Sequence, residues 1–426
     1  QSPRSGQDPC VAAFSEKRFG SKPKPANQVS VDTLRIAIIS DAISGRNGVG
    51  TYYLDLIHQL QPHVDKVELI GPRREPEQAL EVFALPMPGD STQRVAWPRR
   101  RALYQKLDEL RPNIVILPTI GPYSFFALRY AKRHKLPVVL VNHTNFEKLN
   151  ALYWPKWISW PLRLALDGFN WWMYRQADAV AAMNDDSLQQ MGRSAAKRGI
   201  VLGTPLDKAF LSEPTRPMPD HVSKAIFLGR LAREKGLDQI LDAVRALPDM
   251  HFKIAGDGPL RGTVEMAASE YDNLTYLGWL PRSRVREEID AAEILLLPSA
   301  YETFGTVALE ALARRRLVVI SSNCGISKWP SIAEGIFQIT ANKSLSEVLG
   351  EIQEMSAEYR YWRAEKSWQA IPEFNASVIR TWLFIAQRQL RSNKDAGGIA
   401  FESACVHTRC DARHDGGRRR AYQPVS

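Results

Sequence analysis

The sequence predicts an α/β protein built on doubly wound parallel sheets, and three observations favour this class. Short apolar runs that suit buried strands recur along the chain. Several of these runs end in glycine and are followed by a helical pattern, which is the strand, loop and helix unit of a doubly wound sheet. The chain has 426 residues, of which 44% are hydrophobic, so it can form two domains with separate cores.

The first strand, loop and helix unit lies near the start of the chain. The run LRIAIIS predicts a buried strand, and the loop DAISGRNGVG is followed by the helical pattern TYYLDLIHQL. Gly48 and Gly50 in this loop would let backbone amides approach a ligand closely. Further strands are predicted at IVILPT, VVLVNH and AVAAMN, and His143 follows the second of them. We expect these residues at strand ends, where the crevice of an α/β domain forms.

Residues 294–320 are the most informative segment of the second half. They predict a buried strand, a loop, a helix from about Thr306 and a second buried strand. The N-terminus of such a helix offers unpaired N–H groups to an anion. Glu302 and Glu310 flank the helix start and could accept hydrogen bonds from sugar or ribose hydroxyls. A lone pair of glutamates at this spacing is more often two solvated charges, so the neighbouring segments decide the interpretation.

Three other strand ends in the second half carry glycine or cationic residues. The segment AIFLGRLAREKG places Arg230 and Lys235 after a strand that ends at Gly229. Two cations on such a loop can clamp a diphosphate. HFKIAGDGPL repeats the strand and glycine pattern at Gly256 and Gly258, and LTYLGWL repeats it once more. We expect the four strand ends to border one crevice that binds a nucleotide sugar.

These motifs, which run in order over roughly residues 225–322, resemble the donor-binding half of family-4 retaining glycosyltransferases. The resemblance rests on G-R-x4-K-G, G-x-G-P and E-x7-E. It implies the GT-B fold, in which two Rossmann-like domains face each other. It also implies that Arg230 and Lys235 hold the donor diphosphate, that Glu302 contacts the transferred sugar and that Glu310 binds the ribose. Backbone N–H groups would come from Phe304, Gly305 and Thr306.

The resemblance extends to the first half of the chain. It implies that His143 contacts the donor sugar and that Gly48 and Gly50 approach the donor from the opposite wall. The catalytic residues would then be His143, Arg230, Lys235 and Glu302, with neither a metal ion nor a cofactor besides the nucleotide sugar. One segment departs from the family pattern: Cys324 and Gly325 begin a turn where the family commonly has Gly-Gly-x-x-Glu. The family pattern therefore says little about the loop near Gly325.

The sequence predicts five parts along the chain. They are a disordered arm over residues 1–30, an acceptor-binding domain over 31–208, a donor-binding domain over 209–372, a crossover helix over 373–392 and a disordered tail over 393–426. In GT-B enzymes the last helix crosses back to the first domain. We therefore expect a hinge between the two domains.

Basic and aromatic residues are concentrated in the first half. Residues 1–208 contain 28 Lys and Arg against 19 Asp and Glu, which accounts for most of the net charge of +10. The segment 150–175 is rich in tryptophan, as expected of a surface that contacts a membrane or an acceptor. An aromatic core or an acceptor groove is the alternative. Nucleic acid is not an expected partner, because the chain has no RNA- or DNA-binding signature. The five tryptophans are Trp154, Trp157, Trp160, Trp171 and Trp172.

The resulting prediction is a metal-independent, retaining hexosyltransferase. It would move a hexosyl or uronosyl group from a nucleotide diphosphate sugar, preferably a UDP-sugar, to a membrane lipid such as diacylglycerol. The wording HTNF before an aromatic helix resembles the subgroup that glycosylates such lipids. The sequence shows neither a secretory signal nor a membrane-spanning run, so we expect a peripheral protein on the cytosolic face of an anionic membrane.

Three alternatives remain open from the sequence. The enzyme could use GDP-mannose or a UDP-sugar in polysaccharide or lipid-linked oligosaccharide assembly. The chain could be an inactive scaffold that binds a nucleotide sugar. A dinucleotide oxidoreductase is disfavoured, because no G-x-G-x-x-G follows the first strand.

Overall fold

The computed structural model describes residues 33–42, 48–72, 80–87, 90–143, 156–192, 199–212 and 218–394. For residues 81, 86, 87, 90–94, 156–165, 190 and 392–394 the description is limited to the backbone. The predicted arm over residues 1–30, the predicted tail after residue 394 and Trp154 lie outside the described residues.

The first half of the chain forms a six-stranded parallel sheet, a separate hairpin and the helices that cover the sheet. The sheet order is β2-β1-β5-β6-β7-β8, and β3 pairs with β4 in an antiparallel hairpin. The elements are β1 (Arg35–Ile39), α1 (Gly48–Leu60), β2 (Lys66–Ile70), β3 (Glu81–Met87), β4 (Asp90–Pro98), α2 (Arg100–Leu110), β5 (Ile114–Leu117), α3 (Pro122–Arg133), β6 (Val138–Asn142), α4 (Lys156–Gln176), β7 (Ala179–Ala182), α5 (Asp185–Gln190), β8 (Ile200–Val201) and α6 (Lys208–Leu211).

The second half forms another six-stranded parallel sheet, in the order β11-β10-β9-β12-β13-β14. The strand order reverses between β9 and β12, as it does in a Rossmann fold. The elements are β9 (Lys224–Leu228), α7 (Leu237–Ala246), β10 (His251–Ala255), α8 (Arg261–Glu270), β11 (Leu274–Gly278), α9 (Arg282–Ala291), β12 (Ile294–Leu297), α10 (Thr306–Ala313), β13 (Leu317–Ser321), β14 (Ile336–Ile339), α11 (Leu345–Glu354) and α12 (Ala357–Lys394).

The central strands are apolar because helices cover both of their faces. All residues of β5, β6 and β12 are buried. Parallel strands covered on both faces lose the alternation of polar and apolar residues, so they appear as continuous apolar runs. The strands predicted at LRIAIIS, IVILPT, VVLVNH and AVAAMN appear as β1, β5, β6 and β7, and the α/β prediction is confirmed.

The last helix is longer than the predicted crossover segment. α12 is continuous from Ala357 to Lys394 and contains Pro372. Before the proline it packs on the second sheet, where Ser367 Oγ accepts a hydrogen bond of 2.6 Å from Gly335 N. After the proline it packs on the first domain, where Trp382 Nε1 donates to Tyr52 Oη at 2.9 Å. One helix thus belongs to both domains.

The hairpin was not predicted from the sequence. Its strands pair in the order Phe83 with Trp97 and Leu85 with Val95. The intervening Ala96 is buried in the first domain, whereas these four larger side chains are exposed. An exposed face of an antiparallel pair is ordinarily polar, so the apolar exposed face of this hairpin departs from the usual pattern.

Candidate functional site

Four strand ends of the second sheet lie side by side. Strands β11, β10, β9 and β12 are neighbours in that order. The loops after them are joined by backbone hydrogen bonds, from Gly229 N to Ala255 O at 3.1 Å and from Gly256 N to Gly278 O at 2.8 Å. The prediction that these strand ends meet at one edge is confirmed.

The glycines of these loops have a packing role. Gly256 has a φ of +144°, and a Cβ at this residue would lie 1.8 Å from the carbonyl oxygen of Gly229. A Cβ at Gly258 would lie 2.5 Å from the carbonyl oxygen of Leu231. No side chain fits at such distances, so glycine allows the two loops to pack together. Contact between these glycines and a donor stays a prediction.

Lys235 and Glu302 are brought together at the point where the strand order reverses. Lys235 Nζ donates to Glu302 Oε2 at 2.6 Å, and each side chain is 19% exposed. The loops that carry them are also joined through the backbone, from Ala300 N to Glu234 O at 2.9 Å. Ligands of open α/β sheets bind in the crevice at this reversal point. The predicted cation and the predicted sugar-binding carboxylate therefore share one location that solvent reaches.

Arg230, the other predicted cation, also has a carboxylate partner. Its guanidinium donates to Glu234, whose side chain is only 6% exposed. Arg230 and Lys235 are thus held by acidic residues in the absence of a ligand. A diphosphate would have to compete with Glu234 and Glu302 for these cations.

The start of α10 lies beside this ion pair. Gly305 is the N-cap residue and Thr306 is the first residue of the helix. Phe304 is buried, and its ring packs on Trp329 with a centroid distance of 6.4 Å. The buried ring thus anchors the chain directly before the N-terminus of α10.

Gly325 supports the loop that carries Glu302. Gly325 N donates to Glu302 O at 3.0 Å, and a Cβ at Gly325 would lie 2.0 Å from the carbonyl oxygen of Thr303. Cys324 is buried behind the same loop. The segment that departs from the family pattern therefore keeps a glycine at the position where the two loops touch.

Glu310 is buried in an ionic cluster that the sequence did not reveal. Arg282 Nη1 lies 3.0 Å from Glu310 Oε1, Nη2 donates to Asp55 Oδ2 at 2.6 Å, and Nε lies 3.5 Å from Asp207 Oδ2. Asp55 belongs to α1 of the first domain, so Arg282 joins the two domains. The one sequence signal was an aspartate among the apolar residues of TYYLDLIHQL.

Burial dominates the electrostatics of this cluster. It raises the pKa of Glu310, and Arg282 opposes the rise. Burial likewise raises the pKa of Asp55 to about 8, with Arg282 lowering it and Glu310 and Asp207 raising it further. Both carboxyl groups therefore hold a proton more readily than exposed carboxyl groups do.

His143 directly follows β6 and is buried in an aromatic group. Its Nε2 lies 2.9 Å from Tyr53 Oη, and the ring of Tyr52 lies edge-on at 4.9 Å. Burial lowers the pKa of His143 to about 3, so the imidazole is neutral at physiological pH. Both tyrosines belong to α1, whose first turn contains Gly48 and Gly50.

The first domain also contacts the Glu302 loop through the cap of α5. Asn184 is the N-cap residue of α5, because its Oδ1 accepts a hydrogen bond from Ser187 N at 2.8 Å. Asn184 Nδ2 donates to Thr303 O at 2.7 Å. One asparagine therefore caps a helix of one domain and holds a loop of the other.

Two of the five predicted membrane or acceptor tryptophans can be placed in detail. Trp171 is 55% exposed and Trp172 is 37% exposed, both on α4. Trp157 and Trp160 lie on the same helix, but their side chains are outside the description. In the described ranges, no group of three or more His, Cys, Asp or Glu residues could hold a metal ion. Within those ranges no helix has the length and hydrophobicity to cross a membrane.

Comparisons with known proteins agree with this arrangement. The family model "Glycosyltransferase Family 4" matches residues 46–199, and "Glycosyl transferases group 1" matches residues 215–352. The fold is similar to that of sucrose-phosphate synthase from Thermosynechococcus elongatus, with a TM-score of 0.66 and 17% identity over 84% of this chain and 100% of that chain.

Two curated relatives match parts of the chain. An uncharacterized glycosyltransferase, YqgM of Bacillus subtilis, is 28% identical over 162 residues, which are 36% of this chain and 44% of that protein. The sulfoquinovosyl transferase SQD2 of Arabidopsis thaliana is 24% identical over 243 residues, which are 53% of this chain and 45% of that protein. The chain thus matches less than half the length of either relative. Each family model matches one of the two domains, and the likeness to solved structures shows the GT-B fold of two Rossmann-like domains.

Proposed function

We propose that the protein is a retaining glycosyltransferase that moves a hexosyl or uronosyl group from a nucleotide diphosphate sugar to a membrane lipid. The observation that carries the proposal is the contact between Lys235 and Glu302 beside the N-terminus of α10. A cation, a carboxylate and a helix N-terminus at one crevice suit a ligand with both phosphates and hydroxyls.

Donor binding would change the ion-pair partners of Lys235 and Arg230. The diphosphate would take Lys235 from Glu302 and Arg230 from Glu234, because a phosphate carries more charge than a carboxylate. Glu302 would then accept hydrogen bonds from the hydroxyls of the transferred sugar. The N–H groups of Gly305 and Thr306 would add donors to the phosphate or sugar.

The chemistry rests on electrostatic stabilisation of the leaving group. The bond between the anomeric carbon and the phosphate oxygen breaks, and a bond to the acceptor oxygen forms on the same face of the sugar. The acceptor proton passes to the leaving phosphate oxygen, so no protein nucleophile is needed. Arg230, Lys235 and the N-terminus of α10 balance the developing charge, and the proposal needs no metal ion. Neutral His143 would hydrogen-bond the sugar.

The ribose contact, the donor, the sugar and the acceptor are each supported by a different observation. Glu310 would contact the ribose, with Arg282 holding its carboxylate in place. A UDP-sugar is the preferred donor because of the resemblance to lipid-glycosylating enzymes. The sulfoquinovosyl transferase relative is consistent with transfer of a modified hexose. The exposed Trp171 and Trp172 support a lipid acceptor at the cytosolic face of a membrane.

Mass spectrometry of lipids tests the proposal directly. The purified protein is incubated with anionic vesicles that contain diacylglycerol and with a mixture of UDP- and GDP-sugars. A Glu302→Ala variant serves as the control. We expect a new hexosyl lipid only with the unaltered protein, and its mass identifies the sugar.

Two other outcomes would redirect the proposal. Release of nucleotide diphosphate only when saccharides replace the lipid would assign the enzyme to polysaccharide or oligosaccharide assembly. Nucleotide-sugar binding without turnover on any acceptor would leave a binding scaffold.

A further inference from the structure

The hairpin exposes an apolar face to solvent. Phe83, Leu85, Val95 and Trp97 lie on this face, because they occupy alternate positions of two paired strands. Each of the four side chains is between 43% and 60% exposed, while Ala96 on the opposite face is buried. A large apolar face at the surface indicates an interaction site, since isolated exposed residues are common but contiguous ones are not.

This face continues across the first domain as a chain of aromatic contacts. Phe83 stacks on Trp97 at 6.1 Å, and Trp97 meets Phe126 of α3 at 6.3 Å. The neighbouring Phe125 then contacts Trp172 of α4 at 6.0 Å. We call this connected set the aromatic surface. It consists of Phe83, Trp97, Phe125, Phe126, Phe169 and Trp172.

Exposed cations border the aromatic surface. Arg129 lies 5.9 Å from the ring centroid of Phe125, and Arg175 lies 4.7 Å from that of Trp171. The side chains of residues 99–101, which directly follow the hairpin, are three exposed arginines. Aromatic side chains bordered by arginines match the interface of an anionic bilayer, where rings enter the headgroup region and cations meet lipid phosphates.

The aromatic surface includes the start of α3, which lies beside the carboxyl end of β1. Phe125 and Phe126 belong to the first turns of α3. Asp41, which follows β1, holds the start of α3 by accepting from Tyr123 N at 2.7 Å and from Ser124 Oγ at 2.7 Å. The carboxyl ends of β1 and β5 border the crevice, so a membrane on this surface would lie beside the acceptor entrance.

We propose that the hairpin and the aromatic surface dock the first domain on an anionic phospholipid bilayer. The docking rests on the proposed function, because its purpose depends on a lipid acceptor. It adds to that function the surface through which the enzyme would reach a lipid. A second copy of the chain is a poorer occupant, since a symmetric dimer through this face would bring its arginines together.

Vesicle sedimentation with the full chain tests the docking. The probe is a set of vesicles made of phosphatidylcholine with or without phosphatidylglycerol. The variant F83S/W97S removes the stacked pair of the hairpin. The matched control is Y359S/W362S, which removes a similarly exposed stacked pair from α12 of the other domain, with a centroid distance of 5.8 Å.

We expect the unaltered protein to sediment with the anionic vesicles. F83S/W97S should lower the partition coefficient about tenfold, because two aromatic side chains no longer enter the interface. Leu85→Ser should lower it by a smaller factor, and Y359S/W362S should leave it unchanged. Arg100→Gln with Arg101→Gln should weaken binding to anionic vesicles only.

Other outcomes of these experiments would overturn the docking or separate it from the proposed function. Equal sedimentation of F83S/W97S and the unaltered protein overturns the docking surface. A dimer in solution that F83S/W97S converts to a monomer also overturns it, since the face would then join two copies. Vesicle binding by the unaltered protein without lipid transfer keeps the docking and removes the lipid acceptor. Lipid transfer in detergent micelles without vesicle binding keeps the lipid acceptor and overturns the docking.

Discussion

The two glutamates of the E-x7-E motif lie in opposite environments. Glu302 pairs with Lys235 from a neighbouring loop of the same domain, and both side chains are partly exposed. Glu310 is 5% exposed at its side chain and pairs with Arg282, which also binds Asp55 of the other domain. In the proposed function a ligand would replace the first contact, whereas the second contact joins residues of the two domains. One motif thus combines a partly exposed glutamate with a buried glutamate that, besides its proposed contact with the ribose, belongs to a structural joint.

The largest expected effect is on catalysis at the Glu302 contact. Lys235→Ala should lower the rate of sugar transfer by about 100-fold or more, because the charge on the leaving diphosphate loses a partner. The fold should change little, since a partly exposed ion pair contributes roughly 0–1 kcal/mol to stability. Transfer is measured by nucleotide diphosphate release, and stability by urea unfolding.

Lys253→Ala is the matched control for that experiment. Lys253 donates to Glu288 at 2.7 Å in the same domain but away from the crevice. The Lys253→Ala variant should retain normal sugar transfer. A comparable loss in both variants would show that Lys235 acts through stability and not through the donor.

The next effect concerns the joint at Glu310. Arg282→Ala should lower the free energy of unfolding by about 2 kcal/mol, because it leaves two buried carboxyl groups without their cation. Arg284→Ala, two residues further along α9, removes an arginine that pairs with the exposed Glu287 and, at 3.5 Å, with Glu288, which keeps Lys253 as a partner. That control should change stability by less than about 0.5 kcal/mol. Equal stability of the two variants would contradict the structural role of Arg282.

Gly325→Ala tests the packing of the loop that carries Glu302. A methyl group at this position meets the carbonyl oxygen of Thr303, so the loop must shift, and we expect a loss of about 1–3 kcal/mol together with weaker donor binding. Gly350 lies in α11 with no atom within 4 Å of its Cβ position. Gly350→Ala should therefore stabilise the protein slightly. Calorimetric unfolding and nucleotide titration measure both effects, and an unchanged Gly325→Ala variant would refute the loop contact.

The last effect is a pH dependence of stability that involves Asp55, which shares Arg282 with Glu310. The pKa of Asp55, raised by burial to about 8, exceeds its value in the unfolded chain. The unfolded state therefore releases this proton first, and stability falls as the pH rises from about 4 towards 8. Asp55→Asn should make the unfolding free energy decline less over this range, as followed by urea unfolding.

An Asp55→Asn variant whose unfolding free energy declines as steeply as that of the unaltered protein over this range would contradict the raised pKa of Asp55.

The sequence predicts the second domain better than the first. Its strand ends carry glycines and cations in fixed order, and Lys235 and Glu302 indeed meet at the reversal of the sheet. These residues obey local rules of strand and helix ends, which a sequence displays. Arg282 and Asp55 escaped prediction because their contact joins residues 227 positions apart, and no local pattern encodes such a distance.

The hairpin was missed for a different reason. Phe83 and Trp97 favour the interior when judged by hydrophobicity, yet both are exposed. The sequence alone does not show which apolar side chains are exposed. The fold is needed to identify such residues as an interaction surface. His143 was placed correctly at the end of its strand, but its burial against Tyr53 depends on the packing of α1.

The proline in the last helix has a mechanical consequence. Pro372 cannot donate the backbone hydrogen bond of a helix interior, so α12 bends most easily there. Ser367, before this point, is fastened to the second domain, and Trp382, after it, is fastened to the first. Flexing at the proline would change the width of the crevice while each sheet moves as a rigid body with its own length of helix. The position of a single imino acid would thereby set the pivot about which donor and acceptor are brought together.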